Sequence, residues 1–301
     1  MDGLKREEVP MKIWPDCIPC ILKMSLGVAR VAMKDEDQVR RFMEEVLELK
    51  YFDGDNWKVT SPEVIKDVWL KMIQFTGETD PLKEIKNEQN KKALAIYPTA
   101  KKLVLESQDP LLEAIRFAIA ANSIDAMTDV KGGAPEEVIK KWYRLEIDSK
   151  IFNGLKERVR KARSVVYLGD NCGEIVFDRL LIEVLLQMHH TEITFITRTL
   201  PIMNDATLQE VLSIGIGEIA QVVENGVREP LPGTFLKRIN PELKTLIEKS
   251  DLVISKGGGN YDSLTEEEKI KGKVSFLLLA KCYPYCHLHQ VSLGDPIIHN
   301  F

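Results

Sequence analysis

The stretch SVVYLGDNCGEIVFDRLLIEVLLQM, residues 164–188, restricts the fold more than any other part of the chain. Val165, Val166, Tyr167 and Leu168 run into Gly169, then into two bare oxygen donors, Asp170 and Asn171, and then into a helical apolar pattern. That order reads as a strand stopping at a sheet edge with a helix behind it. Runs of the same strand-like kind occur at 192–197, 219–223, 251–255 and 274–279, most of them separated by helical or loop segments. The alternation predicts a mostly parallel sheet covered by helices. Before it, from about Asp16 to Glu146, apolar residues recur every three or four positions, over 18–33, 37–52, 61–76, 87–107 and 109–128. Ser61-Pro62 and Asp109-Pro110 read as helix starts, and Lys131-Gly132-Gly133-Ala134-Pro135 as a break. The expected division is therefore a helical region over 1–150, with room for two helical subdomains, and an α/β domain over 151–301.

A chain of 301 residues fits two domains better than one. Its net charge of −5 leaves no basic footprint, so nucleic acid is not an expected partner. No uninterrupted apolar run is long enough to span a bilayer. The start, MDGLKREEVPMK, has no apolar core behind its charges, so a cytoplasmic location is expected. Five cysteines form no disulfide framework, which suits a reducing compartment.

The chemistry concentrates at strand ends. In open α/β sheets ligands bind outside the strand C-termini. Asp170 and Asn171 follow one strand, and Asn204-Asp205 follow the next. Asp170, Asn171 and Asp205 form a set of oxygen donors that a hard divalent cation favours; the alternative is that the aspartates merely cap the helices that follow. The helix start at Gly173-Glu174 suits a phosphate, with Glu174 either taking part in catalysis or complementing the helix dipole. DLVISKGGGNYDSL, 251–264, ends a strand in Lys256 and three glycines, which reads as an anion cradle or as a plain flexible turn. Lys281 ends a further apolar strand at the same expected edge. Cys17 and Cys20 open a helix as Cys-x-x-Cys, a redox pair or half of a zinc site; Cys282, Cys286, His287 and His289 are a second soft-ligand cluster. Cys172 reads as a packing residue, and Asn122 and Asp125 either reach the metal edge or only end their helix.

Taken together, CIPC (17–20), AANSID (120–125), GDNCGEIVFD (169–178), NDAT (204–207), PGT (232–234), SKGGGNYDSL (255–264) and LLLAKC (277–282) resemble the metal-dependent damage-control phosphatase family over nearly the whole chain. The resemblance implies a helical N-terminal region and a Rossmann-like, three-layer α/β/α C-terminal domain. It implies hydrolysis of phosphate monoesters of small metabolites, such as sugar phosphates, with Mn²⁺, Ni²⁺, Co²⁺ or Mg²⁺. By resemblance Asp170, Asn171 and Asp205 hold the metal, the loop Gly258-Gly259-Asn260-Tyr261 meets substrate, and Lys281 binds phosphate, with Lys256 a less certain counterpart. Asp262 stands where the family often has Glu or Arg, and the ending YPYCHLHQVSLGDPIIHNF (283–301) is unusually rich in His and aromatic residues. Two rival readings are an S-adenosylmethionine-dependent carboxyl methyltransferase, from the glycine-punctuated first strand, and a non-catalytic metal-dependent binding protein.

Overall fold

A computed structural model describes residues 11–54, 56–127, 134–188 and 192–301. The charged N-terminal residues 1–10 and Lys131-Gly132-Gly133 of the expected break lie outside the described residues. Among the described residues seven helices come first: α1 Cys17–Ala32, α2 Glu36–Leu47, α3 Ser61–Thr76, α4 Lys83–Leu105, α5 Pro110–Ala121, α6 Glu137–Arg144 and α7 Ser149–Lys161. Strands and helices then alternate: β1 Ser164–Leu168, α8 Glu174–Met188, β2 Glu192–Thr197, α9 Leu208–Ser213, β3 Gln221–Glu224, α10 Pro241–Lys249 and β4 Leu252–Lys256. The chain finishes with α11 Gly257–Leu264, β5 Val274–Leu279, α12 Tyr283–His289 and β6 Pro296–Asn300.

The helix boundaries follow from local chemistry. Asp109 accepts from the amide of Leu112, and Pro110 occupies the first turn where no amide partner is needed. The start of α3 departs by one residue from expectation: Thr60, not Ser61, is the cap, and it forms a capping box with Glu63. A two-sided box of this kind satisfies two amides at once, which a serine at the next position does not.

The sheet order is β3-β2-β1-β4-β5-β6. The first five strands are parallel, with Val166 lying between Thr194 and Val253 in register, and β6 is antiparallel to β5. Side chains alternate faces along each strand. Val165, Tyr167, Phe195, Leu252 and Ile254 face a core shared with α4, α5, α7 and α8. Val166, Leu168, Ile196, Val253 and Phe276 face the opposite core, with residues of α10, α11 and α12. The result is the three-layer α/β/α arrangement. A third core joins α1, α2 and α3, and includes Ile202 and Met203 from the segment after β2. The core that holds α5 and α8 runs continuously across residue 150.

The chain turns to opposite sides of the sheet after β1: β2 and β3 extend one way, β4 and β5 the other. The tips of β1 and β4 therefore flank the topological switch point, where this class of sheet opens a crevice. Asp170 follows one tip and Gly257 the other.

Candidate active site

Gly169 is fixed by the strand beside it. A Cβ there would lie 2.3 Å from the Phe195 ring, so only glycine lets the chain leave β1 in this direction. The next two residues then pair with the segment after β2. Asn171 and Asp205 form an isolated antiparallel bridge. It is backed by Cys172 N–H donating to Asn204 O at 2.8 Å and Ala206 N–H donating to Asp170 O at 2.8 Å. Asp170, Asn171 and Asp205 are thus brought together by backbone pairing, not by side-chain attraction.

Neither aspartate caps a helix. Thr207 caps α9, in a capping box with Glu210. All three oxygen-bearing side chains are buried, yet they line a cavity of about 130 Å³. Burial, reinforced by Asp205 and Glu174, pushes the Asp170 carboxyl well above its usual range, with Arg198 opposing. Burial likewise raises Asp205, again opposed by Arg198. Arg198, which the sequence reading passed over, donates through Nε to Asp205 Oδ2 at 2.7 Å and lies 3.7 Å from Asp170 Oδ1. It is the first residue after β2, and its position at a strand tip seven residues before Asp205 was the available signal.

The amide of Asn171 is oriented from behind. Its Nδ2 donates to Asp170 Oδ2 at 2.8 Å and to Glu174 Oε2 at 3.0 Å. Both amide protons are thereby engaged, which leaves Asn171 Oδ1 as the free donor atom. Asp170 and Asp205 supply the other oxygens. Two carboxylates and one amide match what Mg²⁺ or Mn²⁺ takes from protein while keeping positions for water and a substrate oxygen. Among the described residues no three His, Cys, Asp or Glu side chains gather into a metal site of their own. The cation-binding potential rests on the mixed Asp, Asn, Asp set.

The helical region completes the cavity. Asn204 is fully buried; its Oδ1 accepts from Ala126 N–H at 3.0 Å and its Nδ2 donates to Gln89 and to Ile124 O. It is a clamp on the segment after α5, not a donor to the cavity. Asp125 and Asn122 both reach the strand edge. Lys281 Nζ donates to Asn122 O at 2.9 Å and forms an ion pair with Asp125. Burial pulls Lys281 toward neutrality, but Asp125, Glu174 and Asp170 outweigh it and leave the ammonium favoured. Lys281 and Asp125 line the same cavity as the Asp, Asn, Asp set.

Several expected substrate contacts have other roles. Lys256 is completely buried and does not line the cavity. It shares the face of Leu252 and Ile254, by the two-residue alternation of β4, and so points beneath α5 and α8. There its Nζ donates to Glu174 Oε1 at 2.5 Å, Asp178 Oδ1 at 2.7 Å and Ala118 O at 2.9 Å. Glu174 is the receiver of this lysine, of Asn171 and of Asn122, so it neither contacts the cavity nor serves a phosphate. The amide of Gly173 is already bonded to Asn90 Oδ1 at 2.6 Å, which removes the expected anion cradle at the start of α8.

The glycine run is a helix start, not a loop. Gly257 has φ +74° and sits so near Asp170 that a Cβ would lie 1.8 Å from its Oδ2. A Cβ on Gly258 would meet the Tyr285 hydroxyl at 2.5 Å. Gly258 and Gly259 line the cavity from the first turn of α11, where a helix leaves backbone N–H groups without intrahelical partners. Asn260 is buried beneath it, donating to Gly169 O and Lys256 O and accepting from Thr234 Oγ1. Tyr261 is buried too, with its hydroxyl 2.9 Å from His289 Nε2 and its ring against Phe276 and Tyr285. Both hold α11 in place.

The two soft-ligand groups are redistributed. Cys17, Cys20 and Cys282 line the cavity mouth as free thiols. Burial pushes Cys17 up to about 11 and Cys282 up to about 12. Cys286 packs against the core under β5, and His287 lies against the rings of Trp14 and Tyr283. Cys282 thus joins Cys17 and Cys20 at one cavity, while Cys286 and His287 pack elsewhere. Cys172 is fully buried and packs, as expected.

Residues 13–297 match the sequence model of the damage-control phosphatase ARMT1-like domain. The chain is 32% identical to an uncharacterised protein of Methanocaldococcus jannaschii, covering 98% of this chain and 97% of that one. It is 29% identical to a damage-control phosphatase of Archaeoglobus fulgidus, over 95% of this chain and 98% of the relative. A similar structure is the crystal structure of a DUF89 family protein from Pyrococcus horikoshii, with a TM-score of 0.82 at 28% identity, covering 97% of this chain and all of that one. A match of this extent, over a fold whose strand tips gather the residues of GDN, NDAT and LLLAKC, makes the chain a member of the damage-control phosphatase family with the ARMT1-like domain.

Proposed function

We propose that the protein is a divalent-cation-dependent phosphatase that hydrolyses phosphate monoesters of small metabolites, with Asp170, Asn171 and Asp205 as the cation ligands and Lys281 as a phosphate contact. Its family and the relatives named damage-control phosphatases support phosphomonoester hydrolysis of damaged metabolites. The observation that carries the residue assignment is the bridge between Asn171 and Asp205, which sets two carboxylates and an oriented amide against Lys281 around one cavity.

The charge balance explains the need for a cation. Asp16, Asp125, Asp170, Asp205 and Asp262 line the cavity with one lysine, itself paired with Asp125, so the wall offers an anionic phosphate little positive charge until a cation is added. Asp170, Asn171 and Asp205 would hold a cation there, which would supply that charge together with Lewis acidity toward a phosphoryl oxygen and a water. Mn²⁺, Ni²⁺, Co²⁺ and Mg²⁺ all accept oxygen donors of this kind. Arg198 holds the Asp205 carboxylate in place, and Glu174 holds the Asn171 amide with its oxygen forward. Lys281 and the first amides of α11 offset charge on the phosphoryl group, the main service a protein gives this reaction. Ligation of a cation would deprive the Asp170 carboxylate of nucleophilicity, which favours attack by water over attack by that carboxylate.

A methyl donor is disfavoured because Asp170 fills the tip of β1 and abuts Gly257, where a nucleoside would have to approach. Phosphate release from aryl and hexose phosphates, with chelator and with each metal restored, tests the activity. Calorimetric titration of Mn²⁺ into the wild type and into Asp170→Ala and Asp205→Ala tests the ligands. Full activity under chelation, or unchanged Mn²⁺ affinity in both variants, overturns the assignment. Among the described residues no helix is long and apolar enough to cross a membrane.

A further inference from the structure

Asp262 sits in the wall of the cavity and has no duty in the scheme above. It belongs to α11, four residues beyond Gly258, so the two share a helical face and both line the cavity. The start of the same helix abuts Asp170 through Gly257. One helix therefore presents its first turn to the cation ligands and a carboxyl group one turn further along, ~6 Å along the axis. Asp262 is only 9% exposed. Its Oδ1 accepts from the Tyr285 hydroxyl at 2.8 Å, and its Oδ2 has no hydrogen-bond partner among the described residues. That oxygen is not among the fully buried unpaired atoms, which leaves it open to the cavity that Asp262 lines.

We infer that Asp262 is the general acid of the phosphatase reaction, giving its proton to the ester oxygen of the departing alcohol; this rests on the function proposed above. As the P–O bond breaks, its electron pair goes to the ester oxygen, which takes the proton from Asp262. The attacking water forms the new P–O bond and releases one proton to solvent. Asp262, now a carboxylate held by the Tyr285 hydroxyl, recovers a proton from solvent after the alcohol leaves. An ester, water and no other reactant give an alcohol and phosphate.

The surroundings suit that duty. The groups facing Asp262 are Cys17 at the start of α1, Cys282 and Tyr285 beside and on α12, and Tyr261 on its own helix. From α3 only Ser61, Pro62 and Ile65 reach the cavity. No cation is among them. Burial accordingly pushes Asp262 up to about 7, with the Tyr285 hydrogen bond restraining the rise. A general acid works best with its pKa near the working pH.

The test compares leaving groups. An alkyl phosphate such as a hexose phosphate needs its leaving oxygen protonated, whereas p-nitrophenyl phosphate does not. In Asp262→Asn with saturating Mn²⁺, kcat for the hexose ester should fall by about 10²–10⁴, while kcat for the nitrophenyl ester stays nearly unchanged. Equal losses on both esters, or none on the hexose ester, overturn the inference. In Tyr285→Phe the carboxylate loses its donor, so the fall of hexose-ester activity with rising pH should move to higher pH; a limb that stays put also overturns it. The Tyr285→Phe result decides if Asp262→Asn does not fold. A wild type inactive on both esters with every metal refutes the phosphatase reading itself, a distinct outcome.

Discussion

Lys256→Met is the most informative single substitution, because two readings of this lysine predict opposite results. If Lys256 were a phosphate contact, its removal would weaken substrate binding and leave stability alone. In the structure it neutralises Glu174 and Asp178, all three side chains being fully buried. Methionine keeps the length of the stem and strands two carboxyl groups without their cation. Removing one partner of a buried pair costs about 3–5 kcal/mol. At the small-slope end of the usual relation, ~2 °C per kcal/mol, the melting temperature should drop by about 6–10 °C. The deficit should depend on pH with a definite sign. Burial already raises Asp178 from 3.8 to about 6, so its contribution to stability weakens as pH rises through that window. Without Lys256 the Asp178 carboxyl rises further and becomes neutral more readily as pH falls, so the variant regains stability on acidification. Urea unfolding of metal-free wild type and variant at pH 8 and pH 5 reads both effects. A loss under about 1 kcal/mol at pH 8, or an equal loss at both pH values, refutes the argument.

Other substitutions separate positioning from stability. Gly257→Ala places a methyl where Asp170 stands and strains a backbone at φ +74°; activity should fall at least about 100-fold, as for an ångström-scale displacement of a reacting group. Gly54→Ala, at φ +91° with open space around it, is the control for strain alone and should keep its activity. Lys281→Met should weaken competitive inhibition by inorganic phosphate by about 10- to 100-fold, the size of a hydrogen bond to a charged group; an unchanged inhibition constant excludes Lys281 from the phosphate site. Asn204→Ala leaves the buried Ala126 amide unpaired and should cost about 1–3 kcal/mol in chemical denaturation.

Much of the fold was legible because strand periodicity and strand ends leave local marks. The runs at 164–168, 192–197 and 274–279 coincide with β1, β2 and β5. β6 went unseen: it is a five-residue antiparallel edge strand opening on Pro296, half-buried over most of its length, and so lacks the apolar signature of the central strands. The meeting of Asp170, Asn171 and Asp205 was foreseeable from two neighbouring strand tips. The direction of Lys256 was not, since strand residues alternate and sequence does not say which face α8 covers. Leu252 and Ile254 share its parity and, once assigned to a core, decide it. The glycine run reads as an anion cradle or a turn because glycine is a poor helix former; three close approaches, to Asp170, Tyr285 and Gly233, are what demand it. Asn122 and Asp125 remained undecided because their partners lie 52 and 156 residues away.

The side chain of Asn122 binds Glu174 with its amide nitrogen and the Leu279 amide with its oxygen. One residue of the helical half thus touches the supports of both Asn171 and Lys281. The consequence concerns dissection. The α/β half expressed alone would lose this bond, the Asp125 partner of Lys281 and the apolar cover that α5 gives α8. On the proposed assignment of Asn171 and Lys281, the smallest active fragment should include the helical half. Two separately made halves should regain activity only when mixed and folded together.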